Sequence, residues 1–201
     1  MQIQNLFPVP MLEAELGRDY TEEELNYVYS LKRKNIIGNE LSVESEILNA
    51  PEMSNIKEWL ENVVNTFLQS THNPRDGVGL RITQSWASFS DQWQYHHDHK
   101  HSNSFYSGVL YIDARDDKIM FTNPNRLFPL FVQPKSPEYY TMHNSETWWV
   151  PATTGKLVIF PSLLVHGVPA VQEGYTRVSI AFNTFPTGEI ANKPGLWHLD
   201  L

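Results

Sequence analysis

The sequence predicts a mainly β fold, an antiparallel sandwich or barrel, with two helices bracing it from the N-terminal side. Two observations carry this. From Gly77 onward, short runs rich in β-branched and aromatic residues alternate with Pro, Gly, Asn and Asp, the pattern of strands joined by tight connections. Before residue 77, apolar residues recur at helical spacing instead. A length of 201 residues with 41% hydrophobic content suits one domain with a substantial core better than two large ones. The expected organisation is a single domain over 1–201: support in 1–77, a functional core in 78–186 and a C-terminal tail in 187–201.

The first helix is announced by Thr21-Glu22-Glu23-Glu24, where Thr21 and Glu24 stand at N-cap and N3 of a capping box. Leu25, Val28 and Leu31 follow in three-residue steps, with Tyr29 beside them, before Gly38. A second helix is marked by one apolar face: Ile56, Trp59, Leu60, Val63, Val64, Phe67 and Leu68. A face that wide requires a sheet to cover. Six strands are then expected, over 79–90, 104–112, 118–123, 146–151, 156–162 and 176–185.

Composition excludes several classes of function. With 15 Lys+Arg against 23 Asp+Glu, the formal charge of −8 opposes binding to a phosphate backbone, so nucleic acid is not an expected partner. No run approaches the roughly 18 apolar residues of a membrane helix, so no membrane association is expected. The start of the chain has no basic segment leading into an apolar block. The absence of cysteine rules out disulfides and thiolate chemistry, and the cytoplasm is the expected location.

The chemistry concentrates in the histidines. Four of the eight, His96, His97, His99 and His101, fall within six residues. In extended chain, His97, His99 and His101 share one face while His96, Asp98 and Lys100 take the other. Neutral imidazoles two residues apart can reach one iron, zinc, copper or nickel ion. A distant third ligand is offered by His166, which a strand, a Pro161-led turn and a second short strand would carry to the inside. Eleven residues on, Arg177 and Ser179 share a strand face opposite Val178 and Ile180. An arginine pointing inward needs an anion; a surface arginine paired with an acid such as Glu173 accounts for that segment alone equally well.

Five ordered segments resemble the iron(II)- and 2-oxoglutarate-dependent oxygenases, and more closely a branch found in bacteria and marine phages. They are Gln84-Ser85-Trp86; His96, His99, His101, Asn103 and Ser104; Ser107 through Ile112; Phe160 through His166; and Arg177 through Asn183. The resemblance implies a double-stranded β-helix (jelly-roll) barrel with the metal at its open end. It implies Fe(II) held by His99, His101 and His166 as catalytic and metal residues. Arg177 would grip the far carboxylate of the co-substrate 2-oxoglutarate, with Tyr111 and Ser179 as further donors. Oxidation of a substrate, most simply its hydroxylation, would then accompany release of succinate and CO2. The family usually carries H-x-D or H-x-E with a distant histidine, whereas this alignment supplies three imidazoles. The literal His96-His97-Asp98 is the alternative ligand set, but it lies on the other face.

A cupin-like three-histidine metalloenzyme that does not use 2-oxoglutarate would not need Arg177. A non-catalytic jelly-roll binding module would not need the clustered histidines. If the gene is phage-borne, the location is the host cytoplasm. The substrate, small molecule or protein, is not named by the sequence, which also leaves room for a homodimer.

Overall fold

The computed structural model describes residues 1–125, 132–172, 174–191 and 197–201. The described elements are β1 (Leu12–Glu15), α1 (Glu22–Ser30), β2 (Arg33–Asn35), β3 (Glu40–Ser42), α2 (Ser54–His72), β4 (Gly79–Ser90), β5 (His96–His99), β6 (Tyr106–Asp113), β7 (Asp117–Thr122), β8 (Thr147–Ala152), β9 (Lys156–Pro161), β10 (His166–Val168), β11 (Arg177–Thr187), β12 (Glu189–Ile190) and β13 (Leu199–Asp200). The fold is mainly β with two helices, and the named strands pair antiparallel. A seven-stranded sheet runs β1-β9-β6-β11-β4-β3-β2, a four-stranded sheet runs β5-β10-β7-β8, and β12 pairs β13. No sheet closes on itself, so the expected barrel is realised as two separate sheets. Among the described residues, no helix is long and apolar enough to cross a membrane.

The capping box forms as the sequence predicts. Thr21 Oγ1 accepts from Glu24 N at 3.2 Å, and Glu24 Oε2 accepts from Thr21 N at 2.9 Å. Arg18 adds a two-pronged pair to the same carboxylate, at 2.6 and 2.9 Å, which compensates the burial of Glu24. On α2, Ile56, Leu60, Val64, Phe67 and Leu68 are buried, while Trp59 and Val63 flank them. The segment 1–77 also supplies β1, β2 and β3 to the large sheet. These strands of three or four residues are too short to show a two-residue period in the sequence.

Strand alternation sorts the large sheet into two faces. Ala87 and Phe89 of β4, Leu110 and Ile112 of β6, Leu157 and Ile159 of β9, and Val178, Ile180 and Phe182 of β11 pack with the helices. On the opposite face Tyr111, Val158 and Phe160 meet Ile119, Phe121 and Val150 of the smaller sheet. The two sheets therefore face each other, and the inward residues of β4, β6 and β11 reach the space between them.

Gly108 is closely packed against the helix-side core. A Cβ there would lie 2.2 Å from Cζ of Phe182, a ring with no exposed surface. Gly108→Ala should therefore destabilise the protein by about 1–3 kcal/mol through overpacking, read as a lower denaturant midpoint. Phe182→Leu in the same chain should recover part of the loss; an unchanged midpoint for Gly108→Ala alone would contradict this packing.

Candidate metal centre

Three histidines from two strands and a turn converge between the sheets. His166 on β10 pairs with His99 on β5, and Val168 pairs with His96. Three residues of β10 (166–168) thus span four of β5 (96–99), a β-bulge. The bulge breaks the expected alternation: His96 and His99 both line the inter-sheet pocket, while His97 is exposed. His101 lies beyond the end of β5, and its direction is set by a backbone bond, His101 N donating to Ser162 O at 2.8 Å.

The ligand-type nitrogens of His99, His101 and His166 all lie within 4.8 Å of one another. Nε2 of His101 and Nε2 of His99 are 3.2 Å apart; two nitrogens bound at about 2.1 Å in adjacent positions on one ion sit about 3 Å apart. His99 Nδ1 donates to His97 O at 2.8 Å, and His166 Nδ1 donates to Leu164 O at 2.9 Å. Those bonds fix the tautomers and aim Nε2 of both rings at the shared space. Asp98 does not join them. It is exposed, and its Oδ1 lies 2.3 Å from where a Cβ of Gly167 would be, on the face opposite His166. Among the described residues, the metal-type cluster contains three imidazoles and no carboxylate.

The motif segments meet in one buried network behind His101. Ser107 Oγ donates to Asn183 Oδ1 at 2.8 Å and lies 2.8 Å from Ser162 Oγ, which in turn donates to Ser104 Oγ at 2.7 Å. Asn183 Nδ2 donates to Gln84 Oε1 at 3.1 Å, and the Asn183 side chain bonds the His101 ring. Ser104 and Ser162 therefore hold the turn that carries His101, and satisfied buried hydroxyls of this kind rigidify what they hold. Trp86, on the pocket side of β4, stacks on His101 with centroids 5.6 Å apart. Phe160 walls His166 at 4.4 Å.

Arg177, Ser179 and Tyr111 open into the same pocket, with Ser179 of β11 register-paired to Tyr111 of β6. Arg177 is 4% exposed. Its Nη1 pairs with Asp117 Oδ1 at 2.8 Å and donates to Pro169 O at 3.1 Å. Nη2 and Nε have no partner among the described residues. Asp117 is held in turn by the Tyr175 hydroxyl. The Tyr111 hydroxyl is buried without a partner, and burial pushes its pKa upward. An inward arginine edge and an orphaned hydroxyl suit the carboxylate of a small acid. Glu173, the acid considered for a surface pairing, lies outside the described residues.

Sequence reasoning had no signal for Asp117, nor for Asn39 and its contacts to β4. Among the aromatics of this region, Trp86 lines the pocket, Trp148 and Trp149 are exposed, and Phe105 packs against the helix-side core.

Burial dominates the electrostatics. It pushes His166 down to about 3, with neighbouring rings adding to the effect and the Leu164 carbonyl opposing it. His101 is pushed down to about 4, and His99 is lowered from the same cause. At neutral pH these rings are uncharged, the form that binds a metal. Their unfolded pKa is about 6.5, so below that pH the unfolded chain takes up more protons than the fold. Metal-free protein should thus lose stability as pH falls from about 6.5 toward 3, by up to about 1.4 kcal/mol per pH unit from His166 alone. Urea midpoints at pH 7 and pH 5 check this; equal midpoints, or a higher one at pH 5, would contradict it.

A scan against protein families matches residues 84–183 to the family described as "Putative 2OG-Fe(II) oxygenase". No curated protein matches the chain in sequence. Among solved structures, HygX from Streptomyces hygroscopicus, crystallised with nickel and 2-oxoglutarate, aligns at TM-score 0.61 and 12% identity over 96% of this chain and 92% of that one. A 2OG-Fe(II) oxygenase family oxidoreductase from Burkholderia pseudomallei aligns at TM-score 0.59 and 13% identity, over 87% and 82%. AviO1 from Streptomyces viridochromogenes aligns at TM-score 0.54 and 14% identity, over 86% and 88%. At such identities the structural likenesses speak to the fold.

Proposed function

The chain belongs to the 2-oxoglutarate- and Fe(II)-dependent oxygenases, and from that premise we propose that His99, His101 and His166 hold the iron while Arg177, Tyr111 and Ser179 hold the 2-oxoglutarate. The observation that carries this reading is one pocket onto which three convergent imidazoles and a buried arginine, whose Nη2 and Nε edge has no partner among the described residues, both open. With iron and 2-oxoglutarate bound, the centre supplies an oxidation driven by O2, which releases succinate and CO2 and most simply hydroxylates the substrate.

The residues of the chain divide the remaining work. His97 O and Leu164 O hold two ligand rings in the tautomer that offers Nε2. Asp117 occupies Nη1 of Arg177, so the guanidinium is oriented before it meets a ligand and presents Nη2 and Nε as a planar fork. Tyr111 and Ser179 stand beside the fork as hydroxyl donors. Val109, Ile119 and Phe160 keep that part of the pocket apolar, which strengthens the charge pairing. The motif set supports the branch found in bacteria and marine phages. The two facing sheets then correspond to an open jelly roll, with 78–186 as the catalytic core of a single domain. The substrate is a small molecule or a protein side chain.

Many members of this family turn over 2-oxoglutarate slowly without their primary substrate. The purified protein with Fe(II), ascorbate and O2 should accordingly form succinate at a low rate, and His99→Ala should form none. Succinate formation by the wild type that continues without iron would contradict the assignment.

A further inference from the structure

A fourth histidine shares the pocket without joining the metal cluster. The His96 ring stacks on His99 with centroids 4.5 Å apart and planes 28° apart, and it lines the same space as the three ligands and Arg177. It lies close enough to His99, His101 and Arg177 for each to act on it electrostatically, and it acts likewise on His166. His96 therefore lines the space that the three-histidine centre and Arg177 share.

The orientation of this ring is set from outside the pocket. Asn39, at the tip of the β2–β3 hairpin, is 2% exposed. Its Nδ2 donates to Ser88 Oγ at 2.7 Å and lies 3.3 Å from His96 Nδ1 and 3.4 Å from Ser90 Oγ. With Asn39 placed so that Nδ2 faces the ring and Oδ1 is left buried without a partner, Nδ1 of His96 accepts and the ring proton resides on Nε2. The hairpin is fastened against this strand: Tyr95 N donates to Gly38 O at 3.0 Å. Gly38 has φ +99, and a Cβ there would lie 2.6 Å from Tyr95 O, so the close approach needs glycine. Nε2–H of His96 has no protein acceptor among the described residues. A half-buried donor of fixed tautomer that lines the pocket beside the metal cluster, with no protein acceptor among the described residues, suits an oxygen from a ligand.

We propose that His96 is a co-substrate-binding residue whose Nε2–H, fixed by Asn39, donates a hydrogen bond to the 2-oxoglutarate that spans the three-histidine centre and Arg177. This rests on the oxygenase reading above and extends it to a residue outside the ligand set. It gives the hairpin of the N-terminal segment a task in the site, because Asn39 acts through His96 as a positioning residue.

The test uses full-length protein under anaerobic conditions, with Fe(II) and 2-oxoglutarate as the probes. His96→Phe keeps a ring on His99 but removes the donor; His96→Met carries the same comparison if the aromatic variant does not fold. His96→Gln restores an N–H near the position of Nε2. The donor-less variant should bind Fe(II) as the wild type does and bind 2-oxoglutarate about 10- to 100-fold more weakly. The visible band of the Fe(II)–keto-acid complex should also shift in position. His96→Gln should recover most of the affinity and the band. Wild-type affinity with an unmoved band in the donor-less variant would overturn the proposal. Loss of Fe(II) binding in His96→Phe and His96→Gln alike would also overturn it, by making His96 a ligand. A wild-type protein that binds Fe(II) but forms no band at all would instead refute the oxygenase reading on which the proposal stands.

Discussion

His166→Ala, His99→Ala and His101→Ala should each abolish stoichiometric Fe(II) binding, and with it all 2-oxoglutarate turnover. Among the described residues no carboxylate joins the three imidazoles: Asp98, the nearest in sequence, lies over Gly167 on the far face. Any residual weak affinity should be lowest for His166→Ala, because His166 is 3% exposed and fixed by Leu164 O. Removing an imbalanced ligand does not disturb the sheet, since β10 pairs through its backbone, and a chilled urea curve should show the fold retained. The decisive pair is His101→Ala against Asp98→Ala, followed by iron content after dialysis. Iron retained by His101→Ala and lost by Asp98→Ala would move the centre to the His96-His97-Asp98 set.

Arg177→Ala should leave Fe(II) affinity intact and weaken 2-oxoglutarate binding by about 2–5 kcal/mol, the usual cost of removing one partner of a desolvated charge pair. The structure adds a complication. Asp117 has a side chain 8% exposed and is paired to Arg177, so Arg177→Ala also strands a buried carboxylate, at a cost to stability of about 3–5 kcal/mol. Arg177→Ala combined with Asp117→Asn removes both charges and should restore the denaturant midpoint without restoring 2-oxoglutarate affinity. Arg177→Lys should recover only part of the affinity, because an ammonium lacks the planar fork. Wild-type 2-oxoglutarate affinity in the double variant would favour a three-histidine enzyme that does not use the keto acid.

The strands of the sheet interior were legible because one face of each is packed against helices and the other against a second sheet, so β-branched and aromatic residues fill them. The capping box at Thr21 and the apolar face of α2 were legible for the same local reasons. β1, β2 and β3 were not, since three or four residues carry no period. At the site, Arg177 and Ser179 share an inward face as strand parity predicts. The histidines depart from parity, because the bulge opposite His166 turns His96 inward and leaves His97 in solvent. A bulge is fixed by cross-strand pairing, which no single segment encodes. Asp117 and Asn39 were invisible for a related reason. Each acts across a sheet or hairpin boundary, 60 residues from Arg177 and 57 from His96, and neither sits in a segment whose pattern differs from an ordinary polar turn or strand end.

The most direct test of the central claim is an anaerobic titration of the purified protein with Fe(II) and then 2-oxoglutarate, followed by visible absorption. The account predicts a charge-transfer band that saturates at one equivalent of iron, appears only when both components are present, and is absent in His166→Ala. A protein that binds one Fe(II) yet develops no band at saturating 2-oxoglutarate would contradict it.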